Sequence, residues 1–181
     1  MNAEGSLSQI NISDGGLPKL AVEGPLELTR TGVPGDRQRN LKYHGGPDKA
    51  VLMIASEVVD ALAAKGFTVG YGSMGENLTV SGLDPANWRA GQRYRVGQDA
   101  EIELTTLRAP CANLYSYGKQ IGKQLYDNAA RAGDIASPVW ARGGFYARVV
   151  RTGWIGPGAP VVLISDLAYT FRVPNTAVTV K

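Results

Sequence analysis

The stretch AEIELTTLRAPC, residues 100–111, combines an alternating pattern with an abrupt end. Ile102 and Leu104 occupy one side of an extended chain and acidic residues occupy the other, which predicts a half-buried strand over residues 100–107. The proline that follows ends this strand. Cys111 is therefore expected on the loop just beyond its C-terminal end, where functional residues are often carried by a rigid scaffold.

The rest of the chain shows more short strands separated by turns, in keeping with its 23 glycines and 10 prolines. Strands are predicted at residues 7–12, 26–31, 50–55, 77–80, 93–96, 145–152 and 161–164. Short strands leave exposed edges unless the sheet closes on itself. We therefore expect a mainly β fold, a closed or nearly closed barrel, with a β-sandwich as the alternative.

Two peripheral helices are predicted beside this sheet. The first covers residues 57–65, with Ser56 as its N-cap, because a serine hydroxyl can accept an otherwise unpaired amide proton. The second covers residues 119–131, where apolar residues recur every four positions.

Composition limits the class of protein. With 181 residues, 44% of them hydrophobic, we expect one domain over residues 1–181, ending in an extended tail over residues 169–181. A formal net charge of +3 is too small to imply non-specific nucleic-acid binding. The N-terminus MNAEGSLSQI does not look like a signal peptide, and no run approaches the roughly 20 apolar residues that span a bilayer, so we expect a cytoplasmic protein without a membrane segment.

The cysteine and histidine counts exclude two further possibilities. The chain has one cysteine and one histidine, which is too few for an internal disulfide or a structural zinc site. Cys111 is then either a small side chain buried in the core or a thiol with a chemical role. The neighbouring Arg108 would favour the thiolate, the form that binds a soft metal or carries sulfur.

Three other segments carry polar residues beside glycines. Arg37 and the segment His44-Gly45-Gly46-Pro47-Asp48-Lys49 place cations next to a glycine pair whose amides can bind an anion. Glu76 and Asn77 offer donors and acceptors to a heterocycle. Arg142 precedes a second glycine pair. Each segment alone is also typical of an ordinary surface turn.

In this order, the segments resemble the MOSC family, named for the C-terminal domain of molybdenum cofactor sulfurases. The resemblance rests on GDR at residues 35–37, HGGPDKAV at 44–51, GENLTVSGL at 75–83, GQRYRVG at 91–97, RAPC at 108–111 and GGFYARV at 143–149. It covers roughly residues 30–165. It implies a β-barrel similar to the barrel domain of pyruvate kinase.

The resemblance also implies a function around the molybdenum cofactor, molybdopterin. Cys111 matches the motif cysteine, which in relatives is a thiolate ligand of molybdenum or a proposed carrier of sulfane sulfur. The implied cofactor-binding positions are Arg37, His44, Gly45, Gly46, Asp48, Lys49, Glu76, Asn77, Arg108 and Arg142.

Besides a β-barrel binding domain that has lost the cofactor and in which Cys111 is simply packed, the resemblance leaves two functions open. One is a molybdenum-dependent oxidoreductase that reduces N-hydroxylated small molecules with electrons from a partner protein. The other is a non-catalytic sulfur carrier that receives a persulfide on Cys111 from a cysteine desulfurase. No pyridoxal phosphate is expected from this chain, and its oligomeric state is left open.

Overall fold

A closed barrel forms the body of the molecule in the computed structural model, which describes residues 4–37 and 45–166. Within these ranges, seven strands close the barrel in the order β10-β6-β7-β8-β4-β5-β1, and β1 pairs again with β10. The strands are β1 Glu4–Ile12, β2 Leu20–Ala21, β3 Leu26–Leu28, β4 Val51–Ala55, β5 Leu78–Ser81, β6 Arg93–Val96, β7 Ala100–Leu107, β8 Phe145–Arg151, β9 Gly153–Ile155 and β10 Pro160–Ser165. The predicted mainly β barrel is thus confirmed.

One connection in the barrel differs from the others. Strands β4 and β5 run parallel, while the remaining neighbouring pairs of the closed barrel are antiparallel. A parallel pair needs a crossover, and helix α1, Ser56–Ala64, lies between the two strands in the chain. All five residues of β4 are buried, as expected for a strand covered on both faces.

The centre of the barrel is filled by large aliphatic and aromatic side chains. Leu7, Met53, Leu78, Ile102 and Phe145, from five different strands, are each at most 2% exposed. The alternation of β7 therefore places its apolar side inward, as predicted.

Glu103, on the outward side of β7, is nevertheless only 3% exposed. The guanidinium groups of Arg93 and Arg148 cover it, with Nε of Arg93 2.8 Å from Oε2. This carboxylate is buried because neighbouring strands supply its charge partners, which alternation alone does not predict.

The two predicted helices need correction. Ser56 is the first residue of α1 and not its cap: Ala55 is the N-cap, and no side chain caps it. The predicted helix over residues 119–131 is two short helices, α2 Ile121–Leu125 and α3 Asn128–Arg131. Asp127 causes the break because its carboxylate accepts a 2.7 Å hydrogen bond from the amide of Ala130 and caps α3.

Two short strands were not predicted from the sequence. These are β2, which extends the barrel sheet beside β1, and β9, which pairs with β3 in a separate two-stranded sheet. The strand predicted at 26–31 ends at Leu28 because Thr29 and Gly32 form a tight turn with reciprocal backbone hydrogen bonds. The predicted tail over residues 169–181 lies outside the described residues. In the part of the chain that is described, no helix has the length and apolarity to cross a membrane.

Candidate functional site

A cavity of about 960 Å³ opens beside the C-terminal end of β7. It brings together side chains from distant parts of the sequence. The polar and thiol side chains among its described lining residues are Ser13, Lys19, Arg37, Lys49, Asn77, Thr106, Arg108, Cys111, Asn113, Ser116 and Tyr146. Five of the predicted site residues are in this lining, at positions 37, 49, 77, 108 and 111.

Cys111 lies at the cavity with its side chain partly accessible. The residue caps a 3-10 turn, Ala112–Tyr117, and its carbonyl oxygen accepts a 3.2 Å hydrogen bond from the amide of Leu114. The thiol is thus carried by a backbone that is bonded in place directly after β7. The structure gives it the position that the sequence predicted.

Arg108 is the most buried cation of the lining, at 3% exposure. Its backbone amide donates to the carbonyl of Gly144 at 3.0 Å. Its Nη2 atom donates to the carbonyl of Met74 at 2.9 Å. Nη1 is buried and has no hydrogen-bond partner among the described residues. Because an unpaired buried donor costs about 1–3 kcal/mol, this guanidinium is suited to an acceptor supplied by a ligand.

Lys49 and Tyr146 are neighbouring side chains in the lining. The Nζ atom of Lys49 is 5.1 Å from the centroid of the Tyr146 ring, a cation–π distance. Tyr146 is 8% exposed, and burial raises the pKa of its hydroxyl, while the positive charge of Arg108 and a hydrogen bond with its side chain act in the opposite direction. The phenol is therefore kept neutral in the ordinary pH range.

The glycine pair before Lys49 does not line the cavity. Gly46 has a φ of 80°, a conformation that glycine adopts without strain, and it precedes the 3-10 turn Pro47–Lys49. Asp48 points away from the lining, with one oxygen 3.6 Å from Nε of Arg148. Among the described residues of this segment, Lys49 is the one in the lining. His44 lies outside the described residues.

Asn77 reaches the cavity lining with its amide group already bonded. Its Oδ1 accepts from the amide of Leu52 at 3.2 Å, and its Nδ2 donates to Oδ2 of Asp36 at 2.9 Å. Nδ2 is also 3.2 Å from the carbonyl of Asn11. These bonds hold β1, β4 and β5 together below the cavity.

Glu76 is fully buried next to Asn77 and does not line the cavity. Its Oε1 accepts from the amide of Gly72 at 2.6 Å and from the hydroxyl of Thr79 at 3.2 Å, while Oε2 has no partner among the described residues. Burial raises the pKa of Glu76, and these hydrogen bonds and the charge of Arg108 oppose that rise. Glu76 therefore supports the turn before β5 from below.

Arg142 does not reach the cavity either. Its Nε donates to the carbonyl of Gln124 at 2.9 Å, and burial lowers the pKa of the guanidinium. The side chain fastens the end of α2 to the segment before β8.

Lys19 is a lining residue that the sequence reasoning missed. Its Nζ lies 2.5 Å from Oδ2 of Asp36, and the two side chains are 9% and 4% exposed. Burial lowers the pKa of Lys19, and the hydrogen bond and charge of Asp36 oppose that change. Lys19 precedes a two-residue strand with no local pattern, so only its pairing with the Asp of the GDR motif could have drawn attention to it.

The charge of the lining is of one sign. Four of the described lining residues are cationic and none is acidic; the cations are Lys19, Arg37, Lys49 and Arg108. Arg37 is at the outer rim, where it pairs with Asp14 at 3.1 Å and both side chains are more than three-quarters exposed. Cations around a concave surface concentrate anions there. The arrangement favours an anionic ligand that ends near a partly accessible thiol.

Within the described residues, three or more acidic, histidine or cysteine side chains do not gather into a metal-binding cluster. Cys111 is the single thiol of the sequence.

Solved structures with this fold are similar over most of the chain. YiiM from Geobacillus stearothermophilus matches with a TM-score of 0.65 and 25% identity, over 89% of this chain and 75% of that one. YiiM from Escherichia coli shares the fold with a TM-score of 0.61 and 23% identity, over 93% of this chain and 72% of that one.

Curated relatives are similar to this chain in sequence over most of its length. YflK of Bacillus subtilis is 31% identical over 154 residues, which are 83% of this chain and 63% of the relative. YiiM of Escherichia coli is 30% identical over 84% of this chain and 65% of its own length. The chain thus spans somewhat less than two thirds of these two relatives. A protein of Gibberella moniliformis named as a reductase is 28% identical over 81% of this chain, but only 25% of its own length is covered.

The model of the MOSC domain matches residues 40–162, about two thirds of the sequence. That match includes the segment that carries Lys49, the end of β7 and the start of β8, which together build the thiol side of the cavity. By its sequence and by its fold, the chain belongs to the MOSC domain family.

Proposed function

We propose that this protein binds the molybdenum cofactor in the cavity beside β7 and reduces N-hydroxylated small molecules, with Cys111 as the thiolate ligand of the metal. The observation that carries the proposal is the joint presence, in one cavity, of the only cysteine and of Arg108, whose buried Nη1 has no partner among the described residues. The family and a distant relative named as a reductase agree with it.

The residues present fit the chemical parts of such a cofactor. Molybdopterin carries a phosphate, a dithiolene and a polar pterin. Lys49 and Arg108 would bind the phosphate or an adjacent carbonyl, since a guanidinium pairs with such acceptors in a planar fork and an ammonium acts as a point charge. The cavity of about 960 Å³ is large enough for a ligand of this size.

Cys111 suits a soft metal better than any other side chain of the described lining does. Thiolates are soft ligands, and the form that binds is the deprotonated one. When bound, the cofactor would supply the two-electron redox chemistry that this chain's own residues lack.

The proposed reaction needs electrons and protons from elsewhere. Cleaving an N–O bond of an N-hydroxyl compound to give the N–H compound and water consumes two electrons and two protons. A partner redox protein would deliver the electrons. In the cavity, Cys111 would hold the metal in place and the cationic residues would orient the cofactor.

The first experiment measures the native mass of the intact chain made in a host that synthesises molybdopterin. We expect added mass equal to the metal-bearing pterin, and we expect Cys111→Ser to lose the metal. Arg151→Gln is the matched control because Arg151 pairs at the surface with Asp99 and Glu101, away from the lining.

Two results would contradict the proposal. An increment of one sulfur atom on Cys111, without metal, would make the chain the sulfur carrier that the sequence left open. The second result is a chain without added mass under the same conditions, together with no reduction of N-hydroxylated substrates by chemically reduced protein. It would show that the chain does not bind the cofactor.

A further inference from the structure

We propose that Thr105, a bulged residue of β7, is a positioning residue that places Lys49 over the ring of Tyr146 at the anion-binding end of the cavity. This inference rests on the proposed function, because it assigns that end of the cavity to an anionic group. It adds a residue that does not itself line the cavity.

The bulge interrupts the pairing of β7 with β8. Leu104 pairs with Ala147 and Thr106 pairs with Tyr146, so Thr105 has no partner residue of its own on β8. A bulge adds one residue, bends the strand and changes the direction of the side chains that follow.

The residues that follow the bulge reach the cavity. Thr106, Leu107 and Arg108 all line it, although they are consecutive. A regular strand directs successive side chains to opposite faces. Arg108 follows Leu107, the last residue of β7, so its side chain is not bound by that alternation and lines the same cavity as its two preceding neighbours.

The hydroxyl of Thr105 links the bulge to the turn that carries Lys49. Its Oγ1 is 2.5 Å from the carbonyl oxygen of Asp48 and 3.1 Å from that of Tyr146. A threonine hydroxyl has one hydrogen to donate, and the shorter distance directs it to Asp48. The bond therefore holds the peptide immediately before Lys49 against the ladder that carries Tyr146.

The second contact of this turn is weaker. Asp48 also faces Arg148, with Nε 3.6 Å from Oδ1, but the two side chains are 69% and 43% exposed. Exposed ion pairs at such a distance contribute little, typically below about 1 kcal/mol. The Thr105 hydroxyl is a shorter side-chain contact between the turn and the barrel than this ion pair, although it too lies near the surface.

The tether has a direct consequence for the cation it positions. Lys49 reaches the cavity over the Tyr146 ring, 5.1 Å from its centroid. Lysine has a flexible stem, so its charge is directed only as well as its backbone and its packing surface are held. Loosening the Asp48 peptide would spread Lys49 over several positions and weaken its hold on an anion.

The test measures the binding of inorganic phosphate to the full chain purified without cofactor, by titration of ¹⁵N-labelled protein. We expect Thr105→Val to weaken phosphate binding about five-fold, the effect of losing one ordinary hydrogen bond. Thr105→Ser, which keeps the hydroxyl, should bind like the wild type. The free energy of unfolding of each variant, measured in urea, shows whether the barrel itself is intact.

A double-mutant cycle with Lys49→Ala separates positioning from general destabilisation. If Thr105 acts through Lys49, the valine substitution has no further effect on phosphate binding once Lys49 is removed. Equal losses in both backgrounds would overturn the inference. So would a Thr105→Val variant that binds phosphate as tightly as the wild type while Lys49→Ala binds it weakly. If Lys49→Ala itself leaves phosphate binding unchanged, the anion site of the proposed function fails, and this inference fails with it.

Discussion

Arg108 and Met74 are joined by a 2.9 Å hydrogen bond from Nη2 of the guanidinium to the main-chain carbonyl, although 34 residues of chain separate them. This bond ties the end of β7 to the turn before β5 and leaves the buried Nη1 without a partner among the described residues. Nη2 of Arg108 thus has a structural role, while Nη1 is available to a ligand.

Arg108→Lys should therefore damage both stability and binding. A lysine cannot reach the Met74 carbonyl and a ligand acceptor together, because it lacks the planar fork. We expect a loss of about 1–2 kcal/mol in the free energy of unfolding. Retained molybdenum, measured by mass spectrometry of the metal in the purified protein, should fall about ten-fold or more.

Arg89→Lys is the control for this substitution. The Arg89 guanidinium packs over the ring of Trp140 at 5.6 Å and is not part of the described lining, so its replacement should leave the metal content unchanged. Undiminished metal in Arg108→Lys would show that the unpaired Nη1 has no role in binding.

Glu76→Gln should change the pH dependence of stability. Burial raises the pKa of Glu76 above the value near 4.5 that it has in the unfolded chain, so the native state holds this proton more tightly. Between those two pKa values the carboxyl contributes stability that is lost as pH rises, by at most about 1.4 kcal/mol per pH unit. Glutamine is neutral throughout, so the variant should gain stability relative to the wild type as pH rises from about 4.5.

Urea unfolding at a series of pH values from 4.5 to 8 measures this effect as the difference between variant and wild type. Glu23→Gln, at an exposed position, supplies the control and should show little change in that difference. A difference for Glu76→Gln that stays constant across the series would contradict the assigned direction.

Asp36→Ala should be strongly destabilising. Its carboxylate accepts from Lys19 and Asn77 and from the amide of Ser13, all near the base of the cavity. Removing one partner of a buried ion pair costs about 3–5 kcal/mol because the remaining charge is left unpaired. Thermal or urea unfolding gives the value directly.

The exposed pair of Asp14 and Arg37 provides the matched comparison. Both side chains are mostly in solvent, so Asp14→Ala should cost less than about 1 kcal/mol. Similar costs for the two alanine variants would mean that the Lys19–Asp36 pair is not protected from solvent as its 9% and 4% exposures indicate.

Gly144→Ala should destabilise the start of β8. Gly144 has a φ of 89°, and an added Cβ would lie 2.5 Å from the carbonyl oxygen of Met53. Backbone strain costs roughly 1–2 kcal/mol and the clash adds about 1–3 kcal/mol. Gly133→Ala, with a φ of 83° and open space around the new Cβ, isolates the strain alone. Equal unfolding free energies for the two variants would show that the backbone relaxes away from the clash.

Much of the barrel could be predicted from local sequence because strand periodicity is a local property. The predicted bounds of β6 and β7 agree with the structure, and the apolar run of β4 was recognised as a buried strand. The prediction of a single helix over residues 119–131 was wrong. The side chain of Asp127 caps α3 and so competes with the backbone hydrogen bonds that would continue α2. The short strands β2 and β9 depend on pairing with distant segments and carry no pattern of their own.

The sequence by itself determined the family, the mainly β class and the place of Cys111 just beyond β7, since these follow from ordered motifs and short-range patterns. Only the tertiary structure decided which polar residues share the cavity. In the folded chain Lys19 lines the cavity, whereas Glu76 is buried beneath the lining and bonds to the amide of Gly72. Arg142 bonds to the carbonyl of Gln124 and is not in the lining. The physical reason is that burial and hydrogen-bond partners come from strands far apart in the chain, and closing the barrel is what brings those strands together.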